Sequence, residues 1–180
     1  SEQSFAPALC NRIDRNTGGI VIAAKNAEAL RVMNQKIRDN ELQKRYLCIV
    51  KGCPKPKHAV LTAFHRKDER TNTVQIFDKE KEGCKKIITE YTVIKPSPAL
   101  SVCEVLLHTG RTHQIRAHMA HIGHPLLGDE KYGDRKLNAR YRLKRQALYS
   151  YKITFTFTSP SGFTKYEENP CTYPLCRYGV

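Results

Sequence analysis

Asp14, near the start of the chain, lies between Arg12 and Arg15 and ahead of the glycine pair Gly18-Gly19. A carboxylate that reacts as a nucleophile or a base has to be ionised, and a neighbouring cation favours the ionised form. The segment therefore has the residue types of a catalytic carboxylate site. An Asp beside glycines also caps loops, and the segment taken alone favours this second interpretation.

A second segment, Thr109–Arg116, places further fixed cations at the start of a predicted helix. After Gly110 the apolar residues recur at helical spacing: Ile115, Met119 and Ile122. This pattern predicts a helix that begins near Thr112 and is ended by Gly123. Arg111 therefore lies at a junction between a strand and a helix.

Most of the other elements that would position these segments are strands. Asn26 is the predicted N-cap of one more helix, whose apolar residues are Leu30, Met33 and Ile37. A short apolar run predicts a strand at Gly19 to Ala24, and alternation predicts strands at Lys44 to Gly52 and Tyr151 to Thr158. Further strands are predicted at Ala59 to His65, Val74 to Phe77, Lys86 to Ile94 and Leu100 to His108, with a short last strand around Phe163 to Tyr166. Many strands with few helices predict an α+β domain built on a mostly antiparallel sheet.

Length and charge restrict the class of protein. A chain of 180 residues is typical of one domain, and we predict a single domain over residues 1–180. The formal net charge of +14 favours a polyanionic partner, and nucleic acid is the preferred one. The sequence contains no apolar run of membrane-spanning length and no leader, so we expect a cytoplasmic protein without a membrane partner.

Neither the cysteines nor the histidines indicate a metal site. The seven cysteines are scattered without a Cys-x-x-Cys pair, which predicts free thiols, buried at Cys48 and Cys103. His118 and His121 are three residues apart on the second predicted helix, but no acid or cysteine accompanies them. We therefore predict no metal ion.

Three segments in order resemble the catalytic core of the RNA pseudouridine synthases, specifically the branch that acts on ribosomal and transfer RNA. Arg12-Ile13-Asp14-Arg15 is similar to the family's Arg-Leu-Asp-Arg motif, and residues 109–116 are similar to its Thr-Gly-Arg-x-His-Gln-Ile-Arg segment. Residues 123–129 match its Gly-His-Pro-Leu-Leu-Gly-Asp run. The resemblance extends from about Leu9 to Pro160 and implies a sheet with a few flanking helices and a central active-site cleft.

The chain also departs from the family pattern. Asn11 stands where many members have His, Gly18 where Ser is usual, and Tyr149-Ser150 where a His-Ala pair is found. Members of the family have strands ahead of the Asp motif, whereas only thirteen residues precede Asp14 here. We therefore expect a catalytic domain truncated at its N-terminus.

The resemblance assigns roles to individual residues. It implies that Asp14 is the catalytic carboxylate and that Arg111 is its ion-pair partner. Tyr46, in Lys44-Arg45-Tyr46, would stack on the uracil or deliver a proton, although Tyr is also an ordinary strand residue. Leu148 would contact the base, although a core leucine is an equally simple interpretation.

Other residues are candidates for substrate binding. Arg12 and Arg15 flank the carboxylate, while His113, Gln114 and Arg116 would order the helix or meet phosphates at its N-terminus. Six Lys and Arg residues occur in the run Arg135–Arg145 with no acid, and three of them, Arg140, Arg142 and Lys144, are predicted to contact phosphates. A solvated surface is the alternative for this run.

The resemblance implies isomerisation of specific uridines to pseudouridine in structured rRNA or tRNA, without a cofactor or a metal. An RNA-binding domain that keeps the scaffold without turnover is the alternative from another class. A metal-dependent nuclease is disfavoured, because Asp129, Glu130 and Asp134 are the clustered acids and one short turn accounts for them. The sequence does not determine the oligomeric state, and a monomer is the expectation.

Overall fold

The computed structural model describes residues 5–158 and the backbone of residues 171–172. The contacts divide the chain into two units: Ser1–Ile13, Gly18–Lys44 and Ser150–Val180 form the first, and Asp14–Thr17 with Arg45–Tyr149 form the second. The single domain over residues 1–180 stays a prediction. The last strand, predicted around Phe163 to Tyr166, lies outside the described residues.

The elements follow one another in a strand-rich order. They are β1 (Ala8–Leu9), β2 (Gly18–Gly19), β3 (Ala23–Ala24), α1 (Ala27–Arg38), β4 (Leu42–Lys51), β5 (His58–Asp68), β6 (Thr73–Phe77), β7 (Lys85–Lys95), β8 (Leu100–Leu107), α2 (Gln114–His121), α3 (Arg135–Tyr141), β9 (Leu148–Phe155) and β10 (Cys171–Thr172). The predicted α+β class is confirmed.

The second unit is built on a sheet in which neighbouring strands follow the order β4-β8-β7-β5-β6. The pairs β5/β7, β7/β8 and β5/β6 are all antiparallel, as the sequence predicts. Tyr46, Cys48 and Val50 lie on the buried face of β4, which confirms the alternation predicted there. They pack with Ile115 and Met119 of α2, so the apolar face of this helix closes the core of the unit.

The first unit contains the other predicted helix, α1. The Asn26 side chain accepts a hydrogen bond from the Ala29 backbone N–H at 2.8 Å, which confirms the predicted N-cap. Met33 and Ile37 of α1 pack in a second apolar cluster with Leu42 and Ile153. Apolar residues at helical spacing therefore bury one side of α1.

The prediction of one continuous strand from Gly19 to Ala24 is wrong. Two short strands are present instead, because the chain changes hydrogen-bonding partner between them: β2 pairs with β9, and β3 pairs with β1. Gly19 has φ +111°, and a Cβ there would lie 2.1 Å from the carbonyl oxygen of Ser150. A glycine is required at this close approach.

None of the helices in the described part of the chain is long and apolar enough to cross a membrane.

His118, for which the sequence predicts no role in metal binding, is buried in the core of the second unit. Its side chain is 1% exposed, and Nδ1 lies 3.0 Å from the Thr89 hydroxyl. Burial lowers the pKa of this imidazole to about 4, below the ordinary value of 6.5. The folded protein therefore holds His118 neutral at neutral pH.

This burial predicts a pH-dependent stability. Because the folded pKa of His118 is depressed, the unfolded chain binds the proton more tightly, and stability is lost as pH falls from about 6.5 towards 4. Between pH 7 and pH 4.5 we expect a loss of roughly 2–3 kcal/mol, measured by urea unfolding. His118→Gln, which does not titrate, should remove most of the difference between the two pH values. An unchanged difference in that variant would contradict the prediction.

Candidate active site

Asp14 opens a tight turn that ends at Thr17. The Thr17 backbone N–H donates to the Asp14 carbonyl at 2.9 Å, and Asn16 has φ +68°, a conformation that Asn tolerates. The buried amide of Gln146 donates to the Arg15 carbonyl at 2.6 Å and to the Thr17 hydroxyl at 3.2 Å. Gln146, for which the sequence pattern predicts no role, therefore holds the turn in place.

The Asp14 carboxylate forms an ion pair with Arg116 rather than with Arg111. Nη1 of Arg116 lies 3.6 Å from Oδ2 of Asp14. Arg116 is 5% exposed and belongs to the first turn of α2, whereas the Arg111 side chain is exposed ahead of that helix. The expected partner is thus corrected, because Arg116 is directed into the second unit and Arg111 is directed towards solvent.

Arg116 also forms a bidentate ion pair with Asp129. Nε donates to Oδ2 of Asp129 at 2.7 Å, and Nη2 donates to Oδ1 at 3.0 Å. Burial opposes ionisation of Asp129, but the hydrogen bonds from Arg116 and from the Tyr132 and Lys131 backbones outweigh it and lower the pKa of this carboxyl. Asp129, which the sequence predicts only as a turn residue, is therefore also an anion in the site.

Tyr132 and His113 complete this wall of the site. The guanidinium carbon of Arg116 lies 5.3 Å from the centre of the Tyr132 ring, a cation–π distance. The Tyr132 hydroxyl accepts from the Val74 N–H at 2.9 Å and lies 2.8 Å from Nδ1 of His113. Burial raises the pKa of Tyr132 to about 12, and burial with the nearby Arg116 charge lowers the pKa of His113. Both rings are therefore neutral at neutral pH.

A cavity of about 370 Å³ opens beside these residues. Its lining consists of Arg15, Asn16, Asn72, His113, Arg116, Glu130, Lys131, Lys144 and Gln146. Four of these side chains are fixed cations and one is an acid, so the cavity favours an anionic ligand. Its volume falls in the range of roughly 300–1,000 Å³ that is usual for small-molecule sites.

The other residues proposed from the sequence take different positions. Gln114 is 2% exposed, and its amide is bonded to Thr109, to the Arg111 N–H, to the Ile88 carbonyl and to Thr89. It therefore orders the loop ahead of α2, one of the two roles expected of it. Tyr46 and Leu148 are buried in the same apolar cluster, at 6% and 7% exposure.

The basic candidates are exposed. Arg12 lies in the first unit, Arg140 lies in α3, and Arg142 follows α3 in the left-handed conformation. Lys144 is exposed and reaches the cavity. The basic run Arg135–Arg145 thus forms an exposed surface whose end borders the cavity.

No group of three or more His, Cys, Asp or Glu side chains in the described residues is arranged to hold a metal ion.

Comparison with known proteins shows the family to which the chain belongs. Residues 1–121 match the family model described as RNA pseudouridylate synthase. The chain belongs to this family. The ribosomal large subunit pseudouridine synthase D of Borreliella burgdorferi is 33% identical over 153 residues, 85% of this chain and 46% of that protein. The ribosomal large subunit pseudouridine synthase C of Vibrio vulnificus is 36% identical over 82% of this chain and 47% of its own length.

The chain spans about half the length of these curated relatives. A solved structure shows the same pseudouridylate synthase fold: human RNA pseudouridylate synthase domain containing 1 has a TM-score of 0.73 at 23% identity, over 93% of this chain and 76% of that one. The likeness confirms the predicted fold class.

Proposed function

We propose that this pseudouridine synthase family member isomerises specific uridines in RNA to pseudouridine, with Asp14 as the reacting carboxylate and without a cofactor. The observation that carries the proposal is the Asp14 carboxylate beside Arg116, a side chain that also lines a cation-rich cavity. Membership in the family supports the type of reaction. The reaction requires no redox step.

The chemistry explains what the residues do. The bond from ribose C1′ to uracil N1 breaks, the base turns, and C1′ bonds to C5. The C5 hydrogen then leaves as a proton and N1 takes up a proton, so that the overall reaction is an isomerisation. The target nucleotide must first leave its stack, because its reacting atoms are unreachable inside a helix. Asp14 then acts as a nucleophile or base, and Arg116 is the cation that faces it. At 3.6 Å the pair is longer than a charge-assisted hydrogen bond of about 2.7–2.9 Å, which leaves the carboxylate oxygens available to react.

The cavity and its rim support an RNA substrate. Arg15, Lys131 and Lys144 line the cavity, and we propose that they contact the phosphates next to the extruded nucleotide. We propose that Tyr46 and Leu148 contact the base. We also propose that Arg12 contacts the RNA. We propose structured rRNA or tRNA as substrate, because the curated relatives are named for the ribosomal large subunit. Such a substrate agrees with a cytoplasmic, monomeric protein.

Pseudouridine mapping tests the proposed reaction directly. RNA from cells with and without the full-length gene is treated with carbodiimide and analysed by primer extension, and mass spectrometry confirms each site. Loss of one pseudouridine on deletion, restored by the wild-type gene, is the expected result and identifies the substrate. An unchanged pseudouridine map would contradict the proposal and favour the alternative, an RNA-binding scaffold without turnover.

The basic surface predicts a salt-dependent affinity for RNA. If Arg140, Arg142 and Lys144 each contact one phosphate, replacing all three by Gln should flatten the log–log slope of affinity against salt by about two to three units. Filter binding of the same RNA across a salt series measures the slope.

A matched control separates local contacts from overall charge. Lys55, Lys57 and Lys95 are exposed and do not line the cavity, and replacing them by Gln removes the same charge. This control should retain a steeper slope than the first variant. Equal slopes in the two variants would show that Arg140, Arg142 and Lys144 form only a solvated surface.

A further inference from the structure

Asp129, rather than Asp14, determines the orientation of the Arg116 guanidinium. The two hydrogen bonds to Asp129 are 2.7 and 3.0 Å long and come from two different nitrogens, whereas the contact with Asp14 is 3.6 Å and comes from the third. Two parallel bonds fix the plane of a guanidinium, which one longer contact does not do. Arg116 therefore presents only Nη1 to Asp14.

Asp129 is itself held rigidly. Its side chain is fully buried, and Oδ1 also accepts from the backbone N–H groups of Lys131 at 2.9 Å and Tyr132 at 3.0 Å. The Asn138 amide and the Gly133 N–H both donate to its carbonyl, at 2.9 and 3.0 Å. A Cβ at Gly133 would lie 2.1 Å from that carbonyl, so the backbone packs closely here. Such a carboxylate is a fixed support for the Arg116 guanidinium.

We propose that Asp129 is a positioning residue for uridine isomerisation, acting through Arg116; this inference rests on the proposed function. Asp129 keeps the Arg116 guanidinium near enough to Asp14 to stabilise the negative charge of the Asp14 carboxylate. It also prevents the guanidinium from forming a close ion pair with Asp14. Among residues 5–158, the ion-pair partners of Arg116 are Asp129 and Asp14. Without the Asp129 charge, Arg116 moves onto Asp14 and masks the oxygen that has to react.

The decisive variant is Asp129→Asn in the full-length protein. Asn keeps the size of the side chain and an oxygen for the Lys131 and Tyr132 N–H groups, but it lacks the second acceptor and the charge. The probe is RNA labelled with 5-³H-uridine in cells that lack the gene, and tritium release is followed in a single turnover with saturating enzyme. The rate constant should fall on the order of 10- to 100-fold. The affinity for the RNA should stay within about twofold, because Arg15, Lys131 and Lys144, which are proposed to contact phosphates, all keep their charges.

Asp134→Asn is the matched control. Asp134 is five residues away, pairs with Lys51 at 2.8 Å and caps α3 through the Leu137 N–H, and it makes no ion pair with Arg116 in the described residues. Its rate constant should be close to that of the wild type. A folded Asp129→Asn protein with the wild-type rate, or with rate and affinity lowered together, would overturn the proposal.

A double variant tests the route through Arg116. Arg116→Lys keeps a cation but loses the two-pronged bond. Adding Asp129→Asn to Arg116→Lys should then slow the reaction little further, whereas losses that multiply would show an independent role. If Asp129→Asn does not fold, Asp129→Glu replaces it as the test, because the longer side chain keeps the charge but displaces Arg116. A wild-type rate in Asp129→Glu would overturn the proposal. An inactive wild-type protein would instead contradict the proposed function.

Discussion

Asp14→Asn in the full-length protein is expected to abolish pseudouridine formation, with a rate at least on the order of 10³-fold below that of the wild type. Asn has the shape of Asp but neither its negative charge nor its nucleophilicity, and the structure gives Arg116 only Asp14 as a carboxylate on its Nη1 side in the described residues. Tritium release from RNA labelled with 5-³H-uridine measures the rate.

RNA binding provides the control for this variant. Removing one carboxylate removes no phosphate contact, so the slope of RNA affinity against salt should stay nearly unchanged. Turnover that survives in Asp14→Asn would contradict the role of this carboxylate, and turnover of the wild type that is lost on adding a chelator would contradict the metal-free reaction.

Arg116→Met is expected to destabilise the protein by about 3–5 kcal/mol, because it leaves the buried Asp129 without its cation. The Arg116 side chain is 6% exposed and that of Asp129 is 0%, so water does not replace the lost partner. Urea unfolding at neutral pH measures the change in the free energy of unfolding. Tritium release from the same variant, measured below its melting temperature, should also fall sharply.

Arg111→Met is the matched control, because Arg111 comes from the same segment and is exposed. Its free energy of unfolding should stay within about 0.5 kcal/mol of the wild-type value. Equal destabilisation by the two substitutions would contradict the assigned burial of Arg116. The activity of Arg111→Met tests the catalytic role that the resemblance implies for this arginine, which stays a prediction.

Features set by local pattern were predicted from the sequence. Helix α1 has its Asn26 cap and its apolar residues within one short segment, and the alternation in β4 assigns Tyr46, Cys48 and Val50 to one face. Such patterns depend on the 3.6-residue and two-residue periods of the backbone, so neighbouring residues suffice to detect them. The three motifs likewise identified the family to which the chain belongs. The catalytic role that they imply for Asp14 stays a prediction.

The strand predicted from Gly19 to Ala24 shows where local pattern fails. Its apolar run Ile20-Val21-Ile22 suits a strand, but the two ends of the segment bond to different partners, β9 and β1. Which backbone groups are available for pairing depends on the folded chain. A local pattern contains no information about that availability.

The sequence by itself determined the family and proposed one carboxylate and several arginines for the candidate site, and tertiary structure decided which of these residues meet. Arg111 and Arg116 are both in the family motif, but Arg116 lies inside α2 and is buried, whereas Arg111 precedes the helix and is exposed. Asp129 was predicted as a turn residue, and its contact with Arg116 spans 13 positions. The Gln146 contact with Arg15 spans 131. Contacts at such separations follow from how strands and helices pack, and residue type and spacing do not specify that packing.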